Sequence, residues 1–130
     1  MADITRISRP SLATVLPGQE HQINGVLAGE ALAVGDFGYL KASDKRVYKA
    51  TGAAANEAAR ARGVVLQEAQ VGDGVTILRG VTVNYGSALS PGAPLYLSAT
   101  AGLLADAAST GGTTEIAYPV DATRIFVKNL

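Results

Sequence analysis

The residue types that do chemistry are few in this chain and widely spaced. A single histidine, His21, lies in a polar stretch near the N-terminus, whereas a hydrolytic triad needs an imidazole within reach of a nucleophile and an orienting acid. His21 therefore reads as an exposed or hydrogen-bonded surface residue. The absence of cysteine removes thiol nucleophiles, zinc–thiolate sites and disulfides together, and leaves the redox compartment open. Metal binding is left to carboxylates, and Asp36, Asp44, Asp73, Asp106 and Asp121 are dispersed among separate turn-like segments. Aspartate in a turn caps its own backbone without needing an ion, so a calcium site would have to be assembled by folding. No catalytic, cofactor-binding or metal residue is expected.

Three local patterns have residues that could form sites. Gly72-Asp73-Gly74 has the glycines of a phosphate loop but no Lys-Ser/Thr after it and no helix pattern following, so it reads as a hairpin turn. Ser43-Asp44-Lys45 places a lysine at a turn, as swinging-arm carrier domains do. The residue after it is Arg46 and the flanking signature is missing, so an exposed turn is the reading. Arg6, Arg9, Arg60 and Arg62 are either solvated charges or contacts for acidic patches of a partner. The pair near the N-terminus is the better candidate, because extended segments add strands to neighbours or wrap them. The expected partner-binding set is Arg6, Arg9, Pro10, Leu12, Val15 and Leu16.

The composition narrows the classes further. Eleven Lys plus Arg balance eleven Asp plus Glu, so no strong field recruits nucleic acid or an anionic membrane. No apolar stretch approaches the ~20 residues of a membrane helix, and residues 1–10 lack the apolar core of an export signal, so a soluble chain is expected. Apolar residues make up 48% of the chain but aromatic ones only 5%, because alanine carries much of the total. Such a core buries little area per residue, at ~25 cal/mol per Å², which points to oligomerisation or docking as a second source of stability.

These residues sit on a chain patterned for strands. Residues 1–20, with Pro10, Pro17 and Gly18, read as an extended N-terminal arm, either a frayed terminus or a segment tied down on a neighbour. From His21 onward, short β-prone runs at 22–26, 37–42, 47–50, 63–67, 75–85, 94–98, 103–105, 115–119 and 123–129 alternate with turn residues. In the longest run Val75, Ile77, Val81, Val83 and Tyr85 share one parity and should face inward, with Gly80 marking a bend where the chain passes between halves. Residues 53–62 (AAANEAARAR) form either two to three helical turns or a mobile loop, since alanine alone gives no stripe for docking.

An internal repeat organises the rest. The stretch 31–42 reads ALAVGDFGYLKA, and 57 residues on, 88–99 reads ALSPGAPLYLSA, with six of twelve positions identical where chance supplies roughly one. Gly35, Tyr39 and Leu40 recur as Gly92, Tyr96 and Leu97, and Val47 falls on Leu104. After a deletion in the second copy, 63–65 resembles 116–118 and 76–78 resembles 124–126. The fold expected is mostly β, with two related small units forming one compact barrel or sandwich and at most one short helix. The arm covers 1–20 and a single domain 21–130, its repeats at about 28–85 and 86–130. Which ring of the Phe37, Tyr39 and Leu95, Leu97 pairs faces inward stays open.

Four stretches taken together, Pro17-Gly18, 28–35 (AGEALAVG), 60–78 (RARGVVLQEAQVGDGVTIL) and 92–104 (GAPLYLSATAGLL), resemble the small capsid decoration, or cement, proteins of tailed bacteriophages and prophages. The resemblance covers the chain from about position 15 to the end and rests on turn and strand signatures. It implies a non-enzymatic structural protein on the outer surface of the virion, made in the host cytoplasm. Its implied partners are the major capsid protein and copies of itself, as a homotrimer, with no nucleic acid and no membrane. Neutral net charge agrees with an exterior position. A small-molecule or carbohydrate-binding β module is the alternative class, for which two Phe, five Tyr and no Trp are a small supply of ring surface.

Overall fold

The computed structural model describes residues 3–13 and 21–130. Eleven strands follow one another: β1 (Arg6–Leu12), β2 (Gln22–Leu27), β3 (Asp36–Leu40), β4 (Val47–Lys49), β5 (Gly63–Val65), β6 (Gly74–Leu78), β7 (Val81–Gly86), β8 (Tyr96–Leu97), β9 (Leu104–Ala105), β10 (Ala117–Pro119) and β11 (Arg124–Val127). The long run at 75–85 is divided at Gly80, whose φ of 63° turns the chain out of one sheet and into another. Residues 53–62 form a loop with a single 3-10 turn at Glu57–Ala59, started by the Asn56 side chain accepting from the Ala58 N–H.

The duplication seen in the sequence is a duplication of strand pairing. In the first unit the order is β2-β6-β5-β3-β4. In the second, β7 pairs β11, β11 pairs β10, a bridge from Ala117 to Leu95 leads on to β8, and β8 pairs β9. The registers agree as well. Leu40 lies opposite Val47 and Tyr39 opposite Tyr48, as Leu97 lies opposite Leu104 and Tyr96 opposite Ala105. Each hairpin closes at its tip by the corresponding bond, Lys41 N–H to Arg46 O at 3.0 Å and Ser98 N–H to Leu103 O at 3.0 Å. Ile23 opposes Ile77 as Val83 opposes Ile125.

One equivalence shifts by a residue. Val64 pairs Leu78 as Tyr118 pairs Phe126, so Tyr118 and not Ala117 is the counterpart of Val64. A strand displaced by one residue exchanges its faces, and the short identity around 116–118 was too weak to fix that register from sequence.

The two units close differently. The first sheet curls until its ends meet, Ala28 bridging Val47 with the Gly29 N–H donating to Val47 O at 2.9 Å. In the second unit the N-terminal segment stands in that gap. Asp3 bridges Ala105, the Ile4 N–H donates to Leu104 O at 3.1 Å, and β1 then pairs along β7 through Arg6–Gly86, Ser11–Asn84 and Leu12–Val83. Pro10 is accommodated because it falls where the β1–β7 register shifts, a place where its missing N–H breaks no ladder bond. The extended geometry expected of the arm is realised at 6–12, but within the chain's own sheet; a frayed terminus does not describe these residues. Val15, Leu16 and Pro17-Gly18 lie outside the described residues.

Side-chain parity sorts the interior into two clusters. Ala28, Leu32, Val47, Val65, Val75 and Ile77 pack inside the first unit, with Leu40 against them. A larger cluster holds Val83, Tyr85, Leu97, Leu104 and Ile125 of the second unit together with Phe37, Tyr39, Val64 and Leu78 from the outer face of the first. The two units are thus joined by a continuous apolar core, in which Phe37 and Tyr85 meet edge to face at 6.3 Å and 74°, worth about 1 kcal/mol beyond burial. The question of parity resolves accordingly: Leu40 and Leu97 point into their own units, and Tyr39 and Tyr96 point out.

Candidate functional site

Arg6, Arg9, Pro10 and Leu12, the described members of the expected partner-binding set, do not form one surface. Arg6 points inward, its Nη1 3.0 Å from Asp36 Oδ1, and the two side chains are 18% and 3% exposed. Asp36 is held further by the Ala33 N–H at 2.8 Å on its other oxygen and by Lys49 Nζ at 4.0 Å, so the buried charge is compensated on every side. Pro10 is buried on Gly35, where an added Cβ would lie 2.6 Å from the proline Cγ. Leu12 is half-buried against the shared core. Of these four Arg9 alone projects to solvent, 74% exposed and 3.9 Å from a similarly exposed Glu68, a pair of little energetic weight. Arg60 and Arg62 are exposed.

Most of the aspartates do what turn chemistry predicts. Asp73 accepts from the Gln70 N–H at 2.8 Å, and Asp44 from the Arg46 N–H at 3.1 Å. Asp121 accepts from the Thr123 and Arg124 N–H groups at 2.9 and 2.8 Å, and its second oxygen meets Arg124 Nε at 2.7 Å. Those backbone bonds and the guanidinium hold Asp121 down to about 2. Asp36 makes the same kind of turn bond, from the Ala33 N–H, and differs in being buried and paired with Arg6 as well, because the first unit folds its turn under the N-terminal strand. Among the described residues no group of three or more His, Cys, Asp or Glu side chains is placed to hold a metal ion, and no helix is long and apolar enough to cross a membrane. His21 is half-buried, with its carbonyl accepting from the Arg79 N–H at 3.0 Å.

Comparing the two units locates surfaces that the sequence did not single out. The outer face of the first unit, with Tyr39, Val64 and Leu78, is buried under the second. The corresponding positions of the second unit are Tyr96, Tyr118 and Phe126, which are half-exposed. Tyr118 and Phe126 lie side by side on β10 and β11, ring centroids 5.6 Å apart. The signal was present in the sequence as the alternation of 115–119 and 123–129, but the off-by-one register hid the match to Val64.

The two units also carry cavities at related positions. The larger, about 410 Å³, is lined by Asp3, Ala88, Leu89, Ala93, Leu95 and Asp106 among others. The repeat-related hollow of the first unit, about 280 Å³, is lined by Ala31, Leu32, Arg9, Lys49 and Glu68 among others. Ala31 and Leu32 correspond to Ala88 and Leu89, and Lys49 to Asp106, so one position of the repeat carries opposite charge in the two units. The N-terminal segment crosses both, contributing Asp3 to one and Arg9 to the other.

The hairpin tips differ in the same sense. Gly102, with φ of 84°, is buried at the base of the first hairpin. It accepts from the Phe37 N–H at 3.1 Å, donates to Ala50 O at 2.7 Å, and lies so close to Asp36 that a Cβ would come 2.7 Å from its carboxylate. The equivalent residue of the first hairpin is Lys45, the only described non-glycine residue with positive φ, at 60°. Its tip, residues 42–45, is exposed but well ordered by its own contacts. The Tyr48 hydroxyl donates to Asp44 at 2.5 Å, which raises the phenol and lowers the carboxyl from their ordinary values, and Lys41 Nζ stands 4.8 Å above the Tyr48 ring.

The repeat glycines behave as expected of turns, Gly35 and Gly92 having φ of 93° and 80°. Gly35 is covered by Pro10, and among the described residues nothing lies within 4 Å of a Cβ built on Gly92. For the outer faces and the two glycine turns the first unit's feature is covered within the chain and the second unit's counterpart is more exposed, and for the hairpin tips the reverse holds. The chain matches no protein-family model, no curated protein and no solved structure.

Proposed function

We propose that this chain is a structural virion protein that binds the outer surface of a bacteriophage capsid and cements adjacent major-capsid subunits. The observation that carries the reading is the open aromatic face of the second unit. Tyr96, Tyr118 and Phe126 occupy the positions that in the first unit are buried by protein, so the same β unit uses this face for docking once within the chain and presents it a second time. Tyrosine and phenylalanine on a rigid sheet are the residues that anchor protein interfaces, because they bury much area at little conformational cost. A copy seated across a subunit boundary contributes its burial to holding that boundary, and many copies act additively on the shell. The resemblance of 28–35, 60–78 and 92–104 to cement proteins names the partner.

The test is add-back to shells of the encoding phage stripped of their decoration. Wild-type protein should bind at fixed stoichiometry and raise the temperature or osmotic shock at which shells rupture. A Tyr118→Arg, Phe126→Glu double variant should fold and fail to bind. Binding that survives this change, or no binding by the wild type, would refute the reading. A specific hit on a glycan array, lost in the same variant, would assign the face to carbohydrate instead.

A further inference from the structure

We propose that Asn24 is a site of spontaneous covalent modification: its side-chain amide cyclises onto the nitrogen of Gly25, with the Thr76 hydroxyl drawing charge onto the amide oxygen, and water opens the ring to aspartate and isoaspartate. The site lies on β2 of the first unit, does not involve the aromatic face and is tested without any shell.

Cyclisation needs an asparagine followed by a residue whose nitrogen can approach the amide carbon. Of the four asparagines in the chain, Asn24 alone precedes glycine, which has no Cβ to crowd the closing succinimide ring. The local structure favours the same step. Asn24 and Gly25 lie where the β2–β6 register shifts between Ile23 and Val26, so the ladder is interrupted at the reacting pair. Gly25 has φ of 77°, both residues are exposed, and among the described residues nothing lies within 4 Å of a Cβ built on Gly25. β2 stands at the end of the five-stranded order, and an end strand with an interrupted ladder opens locally at low cost. Two other asparagines are held differently. Tyr85, which follows Asn84, is fully buried and its N–H donates to Thr123 O at 2.9 Å, and Asn56 uses its side chain to cap the turn at Glu57–Ala59.

The neighbours of Asn24 prepare its amide. The Thr76 hydroxyl donates to Asn24 Oδ1 at 2.9 Å, on the atom that takes up negative charge as the Gly25 nitrogen adds to Cγ, and a donor already in place there lowers the barrier. The departing nitrogen, Nδ2, donates to Gln22 Oε1 at 3.3 Å. The bond from the Gly25 nitrogen to Cγ forms and the Cγ–Nδ2 bond breaks, the Gly25 N–H proton leaving with the amide nitrogen as ammonia. Water then cleaves either C–N bond of the ring. Cleavage at Cγ restores the main chain as aspartate, and cleavage at the Asn24 main-chain carbonyl routes the backbone through the side chain as isoaspartate. Nothing is oxidised or reduced. Either product adds a carboxylate to a chain whose eleven cationic and eleven acidic residues balance, and isoaspartate also lengthens β2 by a methylene inside its bulge.

The full chain, held at mildly alkaline pH either folded or in urea, is followed by intact mass, ion exchange and peptide mapping with isoaspartate-specific methylation. Wild type should gain about 1 Da and appear as a more acidic variant, with aspartate and isoaspartate located at position 24. The folded chain should react within roughly ten-fold of the denatured one. Asn24→Gln, which would need a larger ring, should lose the gain. Thr76→Val should remain folded by circular dichroism, slow conversion by roughly three-fold or more in the folded chain, and match wild type in urea, whereas Thr76→Ser should keep the wild-type rate. Isomerisation at Asp73-Gly74 leaves the mass unchanged and falls in a separate tryptic peptide, so it does not enter the measurement. A folded chain that keeps Asn24 while the denatured chain converts, or a folded Thr76→Val variant that reacts as fast as wild type, would overturn the proposal. Failure of shell binding leaves these outcomes unchanged, so the two readings fail separately.

Discussion

Arg6 of β1 and Asp36 of β3 meet at 3.0 Å in the seam between the two units, so that the strand completing the second unit is fastened electrostatically to the first. The carboxylate is 3% exposed, and truncating one member of such a buried pair leaves the other uncompensated, at a cost of about 3–5 kcal/mol. Asp36→Ala should therefore lower the unfolding free energy by about 3 kcal/mol or more, and Arg6→Lys by about 1 kcal/mol, since the charge survives but the planar fork does not. Urea denaturation measures both. A loss below ~1 kcal/mol in Asp36→Ala would show that water already satisfies the pair.

Gly35 and Gly92 offer a paired experiment on the same repeat position. Both have strongly positive φ, so alanine at either meets a backbone penalty of roughly 1–2 kcal/mol. At Gly35 the new Cβ also overlaps Pro10, and overpacking adds about 1–3 kcal/mol. Gly35→Ala is expected to be the more damaging, with part of the loss recovered when Pro10→Ala is combined with it. Equal losses at the two glycines would mean that β1 does not press on the turn.

The duplicated unit was legible because turn residues and a Tyr-Leu strand recur at one spacing, and the Leu40–Val47 and Leu97–Leu104 pairs show that spacing preserved in register. The inward parity of Val75, Ile77, Val81, Val83 and Tyr85 was legible for the same reason, each being buried. What stayed hidden were relations between units. Pro10 and the serines around it disguise β1, whose pairing partner β7 lies far along the chain. Asp36 looks like any turn aspartate until Arg6 is brought to it. The open aromatic face needs the pairing of Tyr118 with Phe126 to be seen as the counterpart of Val64 with Leu78.

Deleting residues 1–13 should loosen the second unit selectively. The segment supplies the partner of β7 and the Ile4 bond to Leu104, whereas the first sheet closes through Ala28 and Val47 without it. Local stability follows local pairing, so amide exchange should accelerate across β7, β9 and β11 while β2, β5 and β6 keep their protection. Uniform loss of protection would show that the units do not open separately.

Asp121 gives the acid limb of the stability curve a defined contribution. Its carboxyl is lowered from 3.8 to about 2 by the Thr123 and Arg124 bonds. A depressed acid stabilises the fold fully above its unfolded value and progressively less as pH falls through the folded one. The contribution should therefore fade between pH 3.8 and about 2, and Asp121→Asn should flatten that part of the curve. Carboxyl carbon NMR would contradict this if Asp121 titrates with the exposed acids.

Tyr85 governs the opposite limb. Burial raises its phenol well above the ordinary 10.0, because the phenolate has no water around it on the floor of the shared core. The unfolded chain releases this proton as pH passes 10.0 while the folded chain holds it, so the stabilisation is complete below that pH and declines above it. The tyrosinate absorbance of Tyr85 should then appear only together with the loss of β circular dichroism. Tyr85→Phe removes the linkage and should move the alkaline unfolding midpoint upward. Ionisation of Tyr85 near its ordinary value of 10.0, in a chain still folded, would place this ring in contact with solvent and contradict the shared core that joins the two units.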